Sequence, residues 1–468
     1  MRVDEEVRSI VFRKTNSVNV DNGFEIRGTE VPQRVVALNQ QGGNRNLLAA
    51  FGYLILTAVW SNFSGIRLNR ICQVEAENRK CIQMASQSAS GYQPSSSTVP
   101  AQSLDFGSIR SLVEYRFTIH DAYVDVSGIS TFIVQPEPVK EKFLELLMDL
   151  AHHDLTARIR KVSDKLVISI FPKPSLGKPR KLTNLILFIA TVATVSLASY
   201  VLIYEVDPRL TDALFATSDL RAQVFVLALS ILGIVVLHEM GHVLAVRHHK
   251  MDATLPYFVP APPPYFPFGT FGAVISLRGP PANRDQLFDL GFSGPIAGFL
   301  ATIGVTMFAF MTAPLITEQK AAELMAANLL SVRPWPYTPL LFDLLGLLGL
   351  RTVPAGHVLV LTQLAFAAEV GALITFLNIL PVWQLDGGHI ARATFGDQGH
   401  RLAAFIAFGV LLFAGYWGFA LMLILFMFAS RRPLKGVEPL DDVSPLSNLR
   451  KAFFALALVM LVLSFVIF

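Results

Sequence analysis

The pattern of hydrophobic and polar positions changes character near Lys181. Before it, apolar residues come in short runs; after it, they come in runs long enough to cross a bilayer. The first part reads in pieces. Residues 1–43 are polar and mixed, with short strand-like stretches such as 8–12, and point to no role. Residues 47–63 are mostly apolar but of marginal length, and read as a buried or interfacial helix rather than a span. Residues 86–103, rich in Ser, Gln and Pro, read as a flexible linker. Residues 109–173 alternate strand and helix periodicities. A helical turn is expected at 109–115, with strands at 117–126 and 131–135. A helix is expected at 138–152, with Phe143, Leu144, Leu147 and Leu150 on one stripe. Strands follow at 155–159 and 165–171, split by Ser163 and Asp164. His152 and His153 sit at that helix's C-terminus, where a stabilising cap is the default role.

The second part predicts single spans at 182–204, 224–246, 287–314 and 358–380. Residues 402–428 are interrupted by Gly415-Tyr416-Trp417-Gly418 and read as a tight pair of short passes. A single pass would put Arg431 and Arg432 on the wrong side for the positive-inside rule. Residues 452–468 form the last span, for about six to seven in all. The run 287–314 carries Gly291, Ser293-Gly294-Pro295 and Ala297-Gly298, small residues that permit close helix approach. Residues 255–279 do not read as helix. A Pro-rich patch at 260–264 leads into glycines set among aromatic and β-branched residues at 268–277, the mark of a short hairpin or re-entrant loop. Irregular backbone at membrane depth must be covered by protein or water, and its unpaired edge suits an added substrate strand. Residues 316–356 read as an outside loop, with 340–350 an interfacial helix.

Composition agrees with the pattern: 468 residues, 52% hydrophobic and 16% charged, describe a polytopic membrane protein. The net charge of +4 is modest, and the basic residues flank the apolar runs. They are topology signals, not a nucleic-acid footprint. They place 173–181 and 247–250 on the cytoplasmic side and 205–221 outside. Cys72 and Cys81 give neither a disulfide framework nor a zinc ribbon, and read as free thiols. The charged start at Met1 has no signal-peptide core.

Chemistry enters within the run 224–246, at Leu237-His238-Glu239-Met240-Gly241-His242. Histidines four apart share one helix face, one turn from each other, so both imidazoles reach one metal ion. This is H-E-x-x-H, in which the histidines hold zinc and the glutamate is the general base of hydrolysis. A mere pair of core histidines would bury ionisable groups at membrane depth, where they are costly. A hydrolytic zinc site needs three protein ligands and an open position. Asp386 meets that demand: it follows an inward-running span and sits among the helix breakers Pro381, Gly387 and Gly388. His389, a little further along, is a rival ligand.

The motif at 237–242, taken with Asn378-x-x-Pro381 and Asp386-Gly387, resembles the site-2 protease family of intramembrane zinc metalloproteases, peptidase family M50. The resemblance covers roughly residues 182–468. The soluble unit before it is similar to the branch that includes the plant ethylene-dependent gravitropism-deficient and yellow-green proteins. No stretch resembles a PDZ insert or C-terminal CBS domains, and residues 1–107 carry no recognisable family resemblance.

The resemblance implies a polytopic α-helical membrane protein with a small soluble α+β domain at 108–175, a membrane-embedded protease domain at 182–468, and a membrane-associated β-hairpin. It implies one Zn2+ per chain on His238, His242 and Asp386, with Glu239 as base. Asn378 would hydrogen-bond the substrate backbone or the oxyanion, and Gly269 and Gly272 would belong to the hairpin that holds an unwound substrate. The substrate would be a transmembrane segment in the lipid bilayer, cut toward the cytoplasmic side. Two other classes remain in view. A metal-ion transporter would show inverted repeats and need no base between the histidines; an inactive protease-like scaffold would be expected to lose Glu239 or a ligand.

Overall fold

The first element, β1 (Val35–Leu38), is a short strand whose partners lie in the second half of the chain. The computed structural model describes residues 35–38, 104–125, 128–173, 181–206, 209–210, 214, 219–263, 268–333, 336–349, 351–429 and 436–467. The strand-like stretch at 8–12, the helix expected at 47–63, the linker at 86–103, Cys72, Cys81, Arg431 and Arg432 lie outside the described residues.

The α+β unit follows: α1 (Phe106–Glu114), β2 (Ile119–Val124), β3 (Ser130–Val134), α2 (Lys140–Ala151), β4 (Leu155–Val162) and β5 (Lys165–Pro172). The strands form one antiparallel sheet in the order β2-β3-β5-β4. Asp105 caps α1 by accepting from the Ser108 N–H, so the unit begins ahead of residue 108. Ser163, at φ 55°, makes the turn that splits β4 from β5. The stripe on α2 differs from the one expected. Phe143, Leu146 and Leu150 are buried, Leu147 is half-buried and Leu144 is 36% exposed. Both leucine stripes satisfy a 3.6-residue period, and only the position of the sheet decides between them.

Among the described residues, three helices are long and apolar enough to cross a membrane: α3 (Lys181–Tyr204), α4 (Leu220–His248) and α5 (Arg284–Thr312). Each 29-residue helix, α4 and α5, is about 43 Å long. Between them, β6 (Tyr257–Pro260) and β7 (Thr270–Val274) pair antiparallel, with Tyr257 opposite Val274 and Phe258 opposite Ala273.

The expected outside loop is instead a folded layer: β8 (Leu315–Thr317), α6 (Glu318–Ala326), β9 (Leu330–Val332), α7 (Leu340–Leu347) and β10 (His357–Leu361). Its sheet runs β8-β10-β1-β9. The strand β10 claims the start of the span expected at 358–380, because its alternation of Val and Leu pairs with β8 and β1. Helix α8 (Gln363–Ile379) therefore has only 17 residues. Then come α9 (Asp386–Phe413), α10 (Trp417–Ala429) and α11 (Asn448–Leu463). Gly415, at φ 87°, separates α9 from α10 within the Gly-Tyr-Trp-Gly interruption.

The α+β unit is joined to the helices by direct bonds. Lys140 meets Asp285 of α5 at 2.5 Å. The Ile159 N–H donates to the Leu440 carbonyl at 3.0 Å, and Leu440 and Asp441 donate in turn to the carbonyls of Pro281 and Ala282. Leu146→Ala should destabilise this unit by about 2–5 kcal/mol and Leu144→Ala by less than about 1. Urea titration read by limited proteolysis checks this, and equal costs would contradict the packing described.

Candidate active site

Helix α4 places His238, Glu239 and His242 in its second half, with 3%, 6% and 8% of their surfaces exposed. Asp386 opens α9, immediately beyond a turn packed without slack. A side chain at Gly387 would collide with the Ile379 carbonyl, and one at Gly388 with the Trp383 carbonyl. Trp383 itself takes φ 47° to make the turn. The result aims the Asp386 carboxylate at the histidine pair. Its Oδ2 lies 3.2 Å from His238 Nε2 and 3.3 Å from His242 Nε2, and the two ring nitrogens lie 3.3 Å apart.

These separations fit a metal. Three donors at about 2.0–2.1 Å from a tetrahedral Zn2+ stand about 3.3–3.4 Å apart. Two imidazole nitrogens and a carboxylate facing one another out of water are satisfied by a shared metal ion or by protons between them. The tautomer agrees. His242 Nδ1 donates to the Leu290 carbonyl at 2.8 Å, which leaves Nε2 free to bind. His389, the rival ligand, is not in this group: its side chain lies beside Gly291 of α5.

The back wall of the site is the main chain of α5. A Cβ on Gly294 would sit within the His242 ring, one on Gly298 would press on His238, and one on Gly291 would meet Asp386 and His389. Gly241 of α4 packs as closely against the Ser293 carbonyl. From the sequence these glycines read only as helix-packing residues. The missed signal is the equal spacing: Gly294 and Gly298 are four apart, as are His238 and His242, on helices that run side by side.

On the other side, Asn378 in the last turn of α8 brings its amide Nδ2 to 3.4 Å from His238 Nε2. The Glu239 carboxyl lies beside the Ala273 main chain on β7. The two glycines expected in the hairpin do different things. Gly269, at φ 70°, presses on the backbone of α3 and accepts at its carbonyl from Thr194 Oγ1 at 2.7 Å and from the Ala261 N–H at 3.1 Å. Gly272, at φ 86°, donates to Thr270 Oγ1 at 3.0 Å and faces open space.

Gly294→Ala should displace the His242 ring and weaken metal binding about 10-fold or more. Gly304→Ala, on the same helix with nothing near its Cβ, should leave it unchanged. Chelator competition on both variants checks this, and an unaffected Gly294→Ala would contradict the wall.

Residues 225–425 match the model of peptidase family M50. The chain is 31% identical over 249 residues to the probable zinc metalloprotease EGY1, chloroplastic, of Arabidopsis thaliana, covering 51% of this chain and 42% of that protein. It is 30% identical over 251 residues to EGY1 of Oryza sativa subsp. japonica, covering 51% and 40%. It is 27% identical over 321 residues to EGY2 of Oryza sativa subsp. indica, covering 66% and 55%. The chain thus spans about half the length of these relatives. The stretch that matches the M50 model, residues 225–425, holds His238, Glu239, His242 and Asp386.

Proposed function

We propose that this chain is an intramembrane zinc metalloendopeptidase that cuts transmembrane segments of membrane proteins. The observation that carries this reading is the convergence of both H-E-x-x-H histidines and Asp386 at one buried point, with Glu239 beside them. His238, His242 and Asp386 hold one Zn2+. When bound, the ion supplies a Lewis acid for activating carbonyl and water. Glu239 takes the proton from the attacking water on its carboxylate and delivers it to the leaving amine. The Asn378 amide donates to the oxyanion or to the substrate backbone. A peptide in a membrane helix has its own hydrogen bonds satisfied, so the substrate unwinds before it is cut. The free edge of the β6–β7 pair holds it extended.

The reading includes topology. The bilayer is crossed by α3, α4, α5, α8, the α9–α10 pair and α11, and the metal site faces the cytoplasmic side. The α+β unit shares that side, and the β8-β10-β1-β9 layer stands on the other. A transporter or an inactive scaffold gives Glu239 no work beside two metal ligands.

Glu239→Gln should abolish cleavage of a single-pass substrate, a loss of at least 10²–10⁴-fold, roughly, while zinc stays bound. Wild-type turnover by this variant would end the assignment. Asp386→Ala should empty the site of zinc. Asn378→Ala should keep zinc and lower turnover by about 10²–10³-fold. Metal analysis beside cleavage rates separates the two roles, and full zinc in Asp386→Ala would place the third ligand elsewhere. For topology, cysteines at the exposed positions His248 and Lys161 should react with an impermeant thiol reagent from one side, and at Lys320 from the other. Labelling of 248 and 320 from the same side would overturn the arrangement.

A further inference from the structure

The helical piece that carries Asp386 is short. Helix α9 is broken at Gly396 (φ 71°, ψ −168°), so residues 386–395 take no orientation from the rest of α9. Their first turn is fixed by Gly387 and Gly388 against the carbonyls of Ile379 and Trp383. Their far end carries Arg392, whose side chain is only 2% exposed.

Arg392 is met by a residue of the connector between α10 and α11. Asp442 takes both prongs of the guanidinium, Nη1 to Oδ1 at 3.0 Å and Nη2 to Oδ2 at 2.7 Å. The same residue receives Arg284 twice, Nε on Oδ1 at 3.2 Å and Nη2 on the main-chain carbonyl at 2.8 Å. Arg284 opens α5, whose glycines form the wall behind both histidines. A two-pronged Arg–carboxylate pair fixes angle as well as distance. Asp442 therefore ties the segment bearing one metal ligand to the helix that backs the other two. The connector is also held to the α+β unit, where Arg160 Nη1 donates to the Leu440 carbonyl at 2.8 Å and Arg160 Nη2 to the Pro439 carbonyl at 3.0 Å.

We propose that Asp442 is a positioning residue for the metal site: it holds residues 386–395 in the rotation that aims Asp386 at His238 and His242, and it makes the α+β unit part of that support. The inference rests on the zinc-site reading above. Burial raises the Asp442 carboxyl, yet the Arg392 guanidinium, with Arg284 and Arg160 behind it, outweighs burial and holds it below the ordinary carboxylate range. Asparagine at this position would leave a buried guanidinium without its counter-charge.

The test uses the 468-residue chain in detergent, loaded with zinc or cobalt. Asp442→Asn should weaken zinc about 10–100-fold in chelator competition and alter the visible spectrum of the cobalt form. Asp442→Glu, which keeps the charge, should recover most of the affinity. Glu438→Gln, on the same connector but 3.4 Å from Arg160 and with its side chain 41% exposed, should match wild type in both readouts. Unchanged zinc affinity and cobalt spectrum in Asp442→Asn would overturn the proposal, even if its melting temperature falls. A wild-type chain that takes up no zinc would overturn this proposal together with the proposed function, whereas zinc-replete, active wild type with an indifferent Asp442→Asn would overturn this proposal alone. If Asp442→Asn does not accumulate, Arg392→Lys keeps the charge and loses the fork. It should weaken zinc in the same direction, and wild-type affinity in folded Arg392→Lys would overturn the proposal.

Discussion

Two imidazole nitrogens and a carboxylate oxygen held within 3.3 Å of one another, in apolar surroundings, form the constraint on which the rest of this molecule depends. Without a shared metal ion or proton, the Asp386 carboxylate would be buried facing ring lone pairs. With a metal ion, His238, His242 and Asp386 would supply three ligands. Each element nearby serves that convergence. Helix α4 supplies two donors one turn apart, and the turn from α8 into α9 supplies the third. Helix α5 gives up its side chains at Gly291, Gly294 and Gly298 so that rings and carboxylate can approach its backbone.

Close approach has a consequence for tolerance. A core of leucines yields to a one-carbon change by small shifts of side chains, at a cost of about 1–3 kcal/mol. A wall made of main chain has no side chain to shift. At Gly294 and Gly387 the colliding partners are the His242 ring and a carbonyl oxygen. The His238–His242–Asp386 cluster and the helix packing are one structural problem, and a change made for one is felt by the other.

The sequence disclosed the parts that depend on local spacing. The four-residue interval between His238 and His242, the three long apolar helices, the break at Gly415 and the strand–helix order of the α+β unit all follow from periodicity or from residues that interrupt it. What it concealed depends on pairing across long intervals. Residues 357–361 look like the start of a span until β8 and β1 are seen beside them. Leu146 and Leu147 are equivalent until the sheet chooses one. The glycines of α5 read as packing residues because nothing within their own stretch names the rings they face. Asp442 stood in a connector with no motif at all; its importance comes only from where Arg284 and Arg392 converge.

The most direct test of the account is zinc X-ray absorption on the purified chain. One zinc per chain is expected, bound by two imidazole nitrogens and a carboxylate oxygen at about 2.0–2.2 Å. A chain that neither retains nor takes up zinc would contradict it, as would a zinc carrying sulfur ligands at about 2.3 Å from Cys72 and Cys81.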